Sequence, residues 1–334
     1  MNAYAPHSII PQRIHERWAD YHVHSDPVRD GLLLAMKKII QLIFACLLLC
    51  ANAVRAQATA PALSHTLVGG QFEYTVQKGD FLIGIAARFG ESAVLIARSN
   101  DIDYDAHIYP GQRLQIDNRH VVPQTLDNGI LINLPQRMLF FFRAGKLAGA
   151  YPVGLGKPSW PTPAGEFHVV QLRKNPAWVV PLSIQEEMRR EGQAVQTRVP
   201  PGPDNPLGKY WIGLSLSGYG IHGTSAPPSV YHFQSHGCIR LQPDDVEKLF
   251  PQVSIGTTGK IIYAPALLAE LNDGRIYLEV DRDIYNKGVN ALKMLTELAA
   301  ANRLTNRIDW QKAAQVVKQQ EGLARQINLP AVGQ

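Results

Sequence analysis

One cysteine and two nearby histidines are the residues of this sequence best suited to catalysis. Cys238 directly follows Gly237, His236 precedes that glycine, and His222 lies sixteen residues before the cysteine. A thiolate is a strong nucleophile, an imidazole can take the thiol proton, and glycine lets a substrate approach the backbone closely. The flanking His236 and Arg240 are expected to lower the pKa of the thiol. This spacing favours acyl transfer by a cysteine–histidine pair.

Other roles for Cys238 fit the sequence less well. A lone cysteine in a β domain is most often a small buried apolar side chain, and the adjacent glycine and cationic residues argue against that role here. No CxxC or HExxH pattern occurs, so we expect no zinc or other metal, and no cofactor. The segment GLGKPSW lacks the spacing of a phosphate-binding loop and is interpreted as a loop between strands.

The N-terminal region has the features of an export signal. Within residues 36–56, two lysines precede an apolar run, and small residues follow up to Ala56, after which we expect cleavage. Residues 1–35 are polar and unpatterned and are interpreted as an untranslated or disordered leader. The sequence therefore predicts an exported protein.

Removal of the first 56 residues changes the cysteine count and the net charge. Cys46 and Cys50 leave with the segment, so Cys238 has no partner for an internal disulfide. The 334-residue chain has a formal net charge of +5, and the segment carries six basic and four acidic side chains, which leaves +3. This charge is not clustered as in nucleic-acid-binding proteins, and no later apolar run is long enough for a membrane span. We expect no nucleic-acid partner.

Residues 74–116 have the pattern of a compact β-α-α-β unit. A short alternating strand leads to Asp80, which we expect to cap a first helix. Gly90 is expected to end that helix and Ser92 to begin a second one, before a turn and a returning strand.

This unit resembles a LysM module through its segments YTV, GD, IA, FG and PGQ and through one asparagine. The resemblance implies binding of the N-acetylglucosamine-containing glycan of peptidoglycan or chitin. Phe81 stands where the family usually has threonine or serine, so the first loop is expected to meet sugar differently. An alternative is that the unit only caps the neighbouring domain. The glycan-binding residues implied by the resemblance are Gly79, Asp80, Asn100, Pro110 and Gly111.

A mainly β domain is predicted over residues 128–265. Short alternating strands separated by turn signals favour a β-sandwich or an irregular barrel. Two helices are expected, one over residues 184–191 and one from Asp244 or Asp245 to Phe250, with Asp244 and Glu247 as a capping pair.

The C-terminal extension, residues 266–334, is predicted to contain one or two strands near residues 275–280. A helical tail is expected from about Asn290 to Arg325. The tail carries no catalytic motif, and we expect it to pack on the β domain or to remain a solvated appendage.

The β domain resembles the YkuD-type L,D-transpeptidase catalytic domain. The resemblance rests on HGT at residues 222–224 and SHGCIR at residues 235–240, with further matches in PTPAGEF, NPAW and NPLG. It is closest to proteobacterial periplasmic members that have an N-terminal LysM module and a helical C-terminal extension. The resemblance therefore implies a periplasmic enzyme of cell-wall biogenesis and cell shape.

The resemblance also implies roles for the residues around the cysteine. Cys238 would be the nucleophile and His222 the base, with the carbonyl of Gly223 orienting the histidine ring. Main-chain N–H groups near Gly237 and Cys238 would stabilise the oxyanion. Arg240 would shape the pocket or meet a substrate carboxylate. Ser235 and His236 complete the supporting set, with His236 structural or facing the substrate.

The substrate implied by the resemblance is the peptide stem of peptidoglycan. Cys238 would attack the L-centre carbonyl of diaminopimelate and expel the terminal D-alanine. The acceptor stays open: a diaminopimelate amine would give a 3→3 crosslink, a lysine of an outer-membrane lipoprotein would give anchorage, and water would make the protein an L,D-carboxypeptidase. A non-catalytic peptidoglycan-binding protein is a further alternative. A wall endopeptidase of the cysteine–histidine type is disfavoured, because there the cysteine precedes the histidine in sequence.

Overall fold

A computed structural model describes residues 62–330. The predicted leader, the signal peptide and the two cysteines in it lie outside the described residues. No helix between residues 62 and 330 combines the length and the apolar character that a membrane span requires.

The first folded part is the predicted β-α-α-β unit. Strands β2 and β3 pair antiparallel and cover helices α1 and α2, whose apolar faces form a small core with them. Flanking this unit, β1 pairs antiparallel with β4 in the segment that leads to the next domain. The elements are β1 (Leu67–Val68), β2 (Gln71–Thr75), α1 (Leu82–Phe89), α2 (Ala93–Ser99), β3 (Arg113–Asp117) and β4 (His120–Val121).

The helix ends of this unit test three expectations. Gly90 ends α1 with a left-handed backbone (φ 75°), and Ser92 is the residue before α2, both as predicted. The prediction for Asp80 is wrong, because Phe81 occupies the N-cap position. A carboxylate oxygen of Asp80 instead accepts hydrogen bonds from the Tyr74 hydroxyl (2.5 Å) and from a backbone N–H (2.8 Å). Asp80 therefore stabilises the turn before the helix.

The second part is a closed barrel of eight strands. Going round the barrel, the order is β7, β14, β12, β11, β8, β15, β5 and β6, and β6 pairs again with β7; β13 adds parallel to the end of β7. The prediction of a mainly β irregular barrel is confirmed. The strands are β5 (Gly129–Asn133), β6 (Met138–Arg143), β7 (Lys146–Gly156), β8 (Gly165–Lys174), β9 (Trp178–Val179), β10 (Arg198–Val199), β11 (Tyr210–Leu214), β12 (Gly220–His222), β13 (Phe233–Ser235), β14 (Ile239–Leu241) and β15 (Thr258–Ile262).

Strands β5 and β6 differ from the alternating pattern expected of half-exposed strands. Ile130, Ile132 and Phe141 point into the barrel core, whereas Leu131 and Phe140 pack in a second cluster on the other face. Because both faces of these strands are covered, their sequences GILIN and MLFFF are almost continuously apolar.

Two helices accompany the barrel. Helix α3 (Leu182–Arg190) begins two residues earlier than expected, and the short pair β9 and β10 flanks it. Helix α4 (Pro243–Leu249) begins with a proline after Gln242, and no side chain caps it, so the predicted Asp244–Glu247 capping pair does not form. Proline suits a first helical position because its missing N–H would have had no partner in the helix.

The C-terminal extension is a small α/β layer. Strands β16 (Ala266–Glu270), β17 (Ile276–Val280) and β18 (Arg325–Gln326) form an antiparallel sheet. Helices α5 (Ala291–Ala301) and α6 (Trp310–Gln319) share an apolar core with this sheet. The helical tail expected from about Asn290 to Arg325 is therefore only partly correct: α5 and α6 lie within it, but the chain breaks between them and returns as β18.

Candidate functional site

Cys238 lies in a tight turn between β13 and β14. The Ser235 hydroxyl donates to the carbonyl of Cys238 (2.6 Å) and accepts from the N–H of Gly237 (3.1 Å), so one side chain closes the turn. Gly237 has φ 103°, and a Cβ at this position would lie 2.5 Å from the Tyr219 ring. Only glycine therefore fits directly before the thiol without rearrangement.

His222 ends β12, beside the strand that follows the cysteine. The two strands run parallel, with His222 opposite Arg240. Nδ1 of His222 lies 2.6 Å from the carbonyl oxygen of Gly223. Because a carbonyl only accepts hydrogen bonds, the neutral ring carries its proton on Nδ1, which leaves the Nε2 lone pair free to take a proton. Trp211, on the neighbouring strand, stacks on the imidazole at a centroid distance of 5.8 Å.

Cys238 and His222 line the same cavity, which has a volume of about 780 Å³. The structure brings Arg240, His236 and Ser235 to its walls as well. These residues come from three strands and the turn between two of them, so the pairing of β12 with β14, and of β13 and β14 with β7, assembles the site.

Burial sets the ionisation of the pair. It lowers the pKa of His222 to about 4, and the positive charge of Arg240 lowers it as well. Burial raises the pKa of the Cys238 thiol, against the opposing effects of the Gly220 backbone and of Arg240. Arg240 thus lowers the thiol pKa as expected, but His236 does not contribute, and desolvation outweighs Arg240, so the net pKa is raised and not lowered. At neutral pH the free protein holds a neutral thiol and a neutral imidazole.

His236, the other expected cation, is engaged elsewhere. Its Nε2 bonds the carboxylate of Glu187 on α3, and Lys157 Nζ bonds the same carboxylate at 2.6 Å. These two partners, Lys157 first, lower the pKa of Glu187. The edge of the Trp160 ring meets the His236 ring at 4.8 Å. His236 thus ties the turn that carries Cys238 to α3, which forms one wall of the cavity.

Sequence reasoning missed Glu187, Lys157 and Trp211. Glu187 is 49 residues from His236, and nothing in the local pattern of the polar α3 segment indicates that pairing. Trp211 lies directly across from His222 in the β11–β12 pair, a register that a hairpin assignment could have suggested.

Arg240 is a half-buried cation in the cavity wall. Its Nε is buried and has no hydrogen-bond partner within residues 62–330. Because its charge lowers the pKa of both Cys238 and His222, its removal should raise both values.

We therefore expect Arg240→Met to move the alkylation profile of Cys238 to higher pH and to slow alkylation severalfold at pH 8. The measurement is the rate of iodoacetamide addition to the peptide that contains Cys238, followed by mass spectrometry across pH. Arg173→Met, at another arginine of the same cavity, is the matched control and should leave the profile in place. An unchanged profile in Arg240→Met would show that its charge does not reach the thiol.

The LysM-type positions lie at two places in their unit. Gly79 and Asp80 lie in the loop before α1, and Pro110 and Gly111 lie in the loop before β3; the Gly111 N–H bonds the carbonyl of Val76, which joins the two loops. The structure does not bring Asn100 to this end as a free side chain. Its amide donates to the Ile96 and Gln115 carbonyls (2.8 and 2.9 Å) and its oxygen accepts from the Gln115 N–H (2.7 Å).

Exposed aromatic side chains accompany these loops. Phe81 is 48% exposed and Tyr109 is 66% exposed, although large aromatic rings are usually covered.

In residues 62–330 no group of three or more histidine, cysteine or acidic side chains is placed to hold a metal ion.

Comparison with known families agrees with both folded parts. Residues 127–262 match the YkuD family, the L,D-transpeptidase catalytic domain, and residues 74–117 match the LysM domain. Together they place a LysM domain before an L,D-transpeptidase catalytic domain in this chain.

Named relatives extend the match beyond single domains. The chain is 33% identical over 202 residues to the probable L,D-transpeptidase ErfK/SrfK of Salmonella typhimurium, covering 60% of this chain and 65% of that protein. It is 30% identical over 227 residues to the Escherichia coli protein of the same name, covering 66% of this chain and 72% of that protein. A crystal structure of an Enterococcus faecium L,D-transpeptidase mutant aligns with 42% of this chain and 51% of that chain, at 25% identity and a TM-score of 0.33. The chain belongs to the L,D-transpeptidase family.

Proposed function

We propose that this protein is a periplasmic L,D-transpeptidase that uses Cys238 as its nucleophile and acts on the tetrapeptide stem of peptidoglycan. The observation that carries the proposal is the shared cavity, in which a half-buried thiol accompanies an imidazole with an available Nε2. A neutral pair suits this chemistry, because the proton then moves from sulfur to nitrogen only as the substrate is attacked.

The first half-reaction transfers the acyl group to sulfur. Cys238 Sγ bonds the L-centre carbonyl carbon of diaminopimelate, and Nε2 of His222 takes the thiol proton. The N–H of Gly237 already donates to Ser235, so we assign oxyanion stabilisation to the N–H of Cys238. When the amide C–N bond breaks, His222 returns the proton to the leaving amine of D-alanine. The thioester conserves the energy of the broken amide.

The second half-reaction passes the acyl group to an amine. The acceptor nitrogen bonds the thioester carbon and gives its proton to Nε2 of His222. The C–S bond then breaks, and His222 passes that proton to Sγ, which regenerates the Cys238 thiol. We propose a diaminopimelate amine as acceptor, which gives a 3→3 crosslink; a lysine of an outer-membrane lipoprotein and water are the other acceptors to be tested.

Incubation with a purified disaccharide tetrapeptide tests this assignment. We expect release of D-alanine, an acyl adduct on Cys238 by intact mass, and a crosslinked dimer. Free tripeptide without dimer would identify the carboxypeptidase reaction instead. Binding without either product would identify a non-catalytic peptidoglycan-binding protein.

We further propose that the LysM unit holds the glycan strand at its two joined loops and so raises the concentration of stems at the cavity. The exposed rings of Phe81 and Tyr109 support this proposal, since exposed apolar surface often marks a binding site.

Tyr109→Ala is expected to reduce co-sedimentation with insoluble peptidoglycan severalfold and to leave D-alanine release from a soluble tetrapeptide unchanged. Leu329→Ala removes a side chain of comparable exposure in the C-terminal extension, 48% against 66%, and serves as the control. Equal sedimentation of Tyr109→Ala and wild type would reject this loop as the glycan site.

A further inference from the structure

We propose that Tyr285, in the C-terminal extension, is a positioning residue that holds the Cys238 turn in place through Thr162. Only the activity measurement that tests this positioning role depends on the proposed function. Tyr285 lies outside residues 127–262, which match the catalytic domain, and it does not line the cavity that contains Cys238.

The Tyr285 hydroxyl bridges the two ends of a short loop. It donates to the carbonyl of Gly156 at the end of β7 (2.7 Å) and accepts from the N–H of Thr162 (3.2 Å). The Thr162 hydroxyl in turn accepts from the N–H of Gly156 (3.0 Å). One phenol group therefore closes residues 156–162 into a fixed loop, and both of its hydrogen-bonding roles are used.

The same loop continues to the catalytic turn. The Thr162 hydroxyl donates to the carbonyl of Gly237 (2.8 Å), the residue directly before Cys238. The Cα of Gly237 would lie only 2.9 Å from a Cβ on Gly156, so the two glycines are in close contact. A shift of the Gly156–Thr162 loop would therefore move the peptide that carries the thiol.

Tyr285 is itself held on both faces. Its ring stacks on Tyr263 (centroids 5.8 Å apart) and meets the edge of Phe233 (5.6 Å), the first residue of β13. Its N–H donates to the Tyr263 hydroxyl (3.0 Å), which donates to Asp283. Asp283 also accepts from three backbone N–H groups of residues 287–289. The hydroxyl of Tyr285 is thus presented from a rigid segment.

This arrangement gives the C-terminal extension a role in the reaction. Within the Cys238 turn itself, the Ser235 hydroxyl is the side-chain group that bonds the backbone. The C-terminal extension adds a second contact from outside the barrel: Tyr285 bonds the Thr162 N–H, and the Thr162 hydroxyl bonds the carbonyl of Gly237. Precise placement of a nucleophile matters because small displacements of reacting atoms cost large factors in rate.

Tyr285→Phe is the decisive variant, because it removes the hydroxyl and keeps the ring packing. We expect kcat for D-alanine release to fall about tenfold, which corresponds to about 1.4 kcal/mol, with KM within about twofold of wild type. The thermal midpoint should fall by only a few degrees, because the ring packing is kept and only the hydroxyl's hydrogen bonds are lost. Tyr277→Phe is the control: its hydroxyl accepts from Arg275 within the same extension and does not contact the barrel loop. It should leave kcat unchanged.

Thr162 provides the second test. Thr162→Val keeps the shape and removes the hydroxyl, so it should reproduce the loss of kcat, and Thr162→Ser should restore most of the rate. The double variant with Tyr285→Phe should be no slower than the slower single variant, because both changes break one chain of contacts. Additive losses, or a kcat of Tyr285→Phe equal to that of wild type, would overturn the proposal.

Alkylation of Cys238 separates this inference from the proposed function, because it needs no substrate. A loosened turn admits water to the thiol and reduces the burial that raises its pKa, so the alkylation profile of Tyr285→Phe should move to lower pH. If wild type released no D-alanine but the profile moved, the proposed function would fail and the positioning role would stand. An unmoved profile would refute the positioning role whether or not wild type releases D-alanine.

Discussion

Replacement of Cys238 by alanine should abolish release of D-alanine from a tetrapeptide stem, with a loss in kcat of at least about 10³-fold. Removal of a nucleophile or of its base in a protease costs even more. His222→Ala should lose activity to a similar degree, because the buried thiol has a raised pKa and needs a base to ionise it. D-alanine release is measured in a coupled amino-acid oxidase assay.

The controls separate chemistry from folding. Both variants should keep the wild-type thermal midpoint within a few degrees and should still co-sediment with peptidoglycan. The double variant should be no less active than either single one, since the pair acts as a unit. Residual turnover of Cys238→Ala near the wild-type rate would disprove the thiol mechanism. Chelators should leave the wild-type rate unchanged.

The largest effect on stability is expected at Glu279, which lies fully buried in β17. Its carboxylate bonds His120 Nδ1 (2.8 Å), the Val121 N–H (2.6 Å) and the Gln136 amide (3.0 Å). Nε2 of His120 lies 2.8 Å from the carbonyl of Gly90 in the LysM unit. Since the carboxylate and the carbonyl both accept, the His120 ring donates from both nitrogens and is positively charged. This cluster joins the LysM unit, the barrel and the C-terminal extension.

Glu279→Ala should therefore lower the free energy of unfolding by about 3 kcal/mol, because it leaves the buried His120 without its counter-charge. The thermal midpoint should fall by roughly 6–12 °C, measured by calorimetry at pH 7. Glu297→Ala removes a 65% exposed glutamate that pairs with Lys293 on α5, and it should change stability by less than about 0.5 kcal/mol. Equal midpoints for Glu279→Ala and wild type would contradict this account of the cluster.

The pH dependence of stability follows from the same cluster. Burial alone would lower the pKa of His120, but the Glu279 carboxylate outweighs it and raises the value. Burial raises the pKa of Glu91 to about 8, and burial with Glu279 raises that of Asp281 to about 7. All three groups bind protons more tightly in the folded state, so the stability that they contribute is lost as the pH rises. The loss should run from pH 4.5 to about 8 for Glu91 and from pH 3.8 to about 7 for Asp281, and His120 should add to it above pH 6.5. The decline should be smaller in Glu279→Ala, because Glu279 raises two of these three values.

Acidification should expose the opposite effect at His222. Its folded pKa of about 4 is below the ordinary value of 6.5, so its contribution to stability is present above pH 6.5 and is lost as the pH falls through 4. Between pH 4 and 6.5 the gain from His222 with rising pH therefore opposes the loss from Glu91 and Asp281.

Local sequence patterns were sufficient for the elements whose structure depends on near neighbours. Gly90 ends α1 because a left-handed residue there needs no Cβ, and Ser92 precedes α2. The prediction that Asp80 caps α1 failed because its carboxylate bonds a different partner, the Tyr74 hydroxyl. The alternating pattern failed for β5 and β6, because whether a strand is covered on one face or two depends on segments far along the chain.

The sequence alone determined the type of protein, through the short motifs HGT and SHGCIR and the LysM pattern, because each is a local constraint on chemistry and backbone. The tertiary structure decided the ionisation of the thiol, since desolvation depends on everything packed around it. It also decided the partners of His236, His120 and Thr162, which are Glu187, Glu279 and Tyr285. Those partners are separated by 49, 159 and 123 residues, and only closure of the barrel with the extension packed against it brings them together.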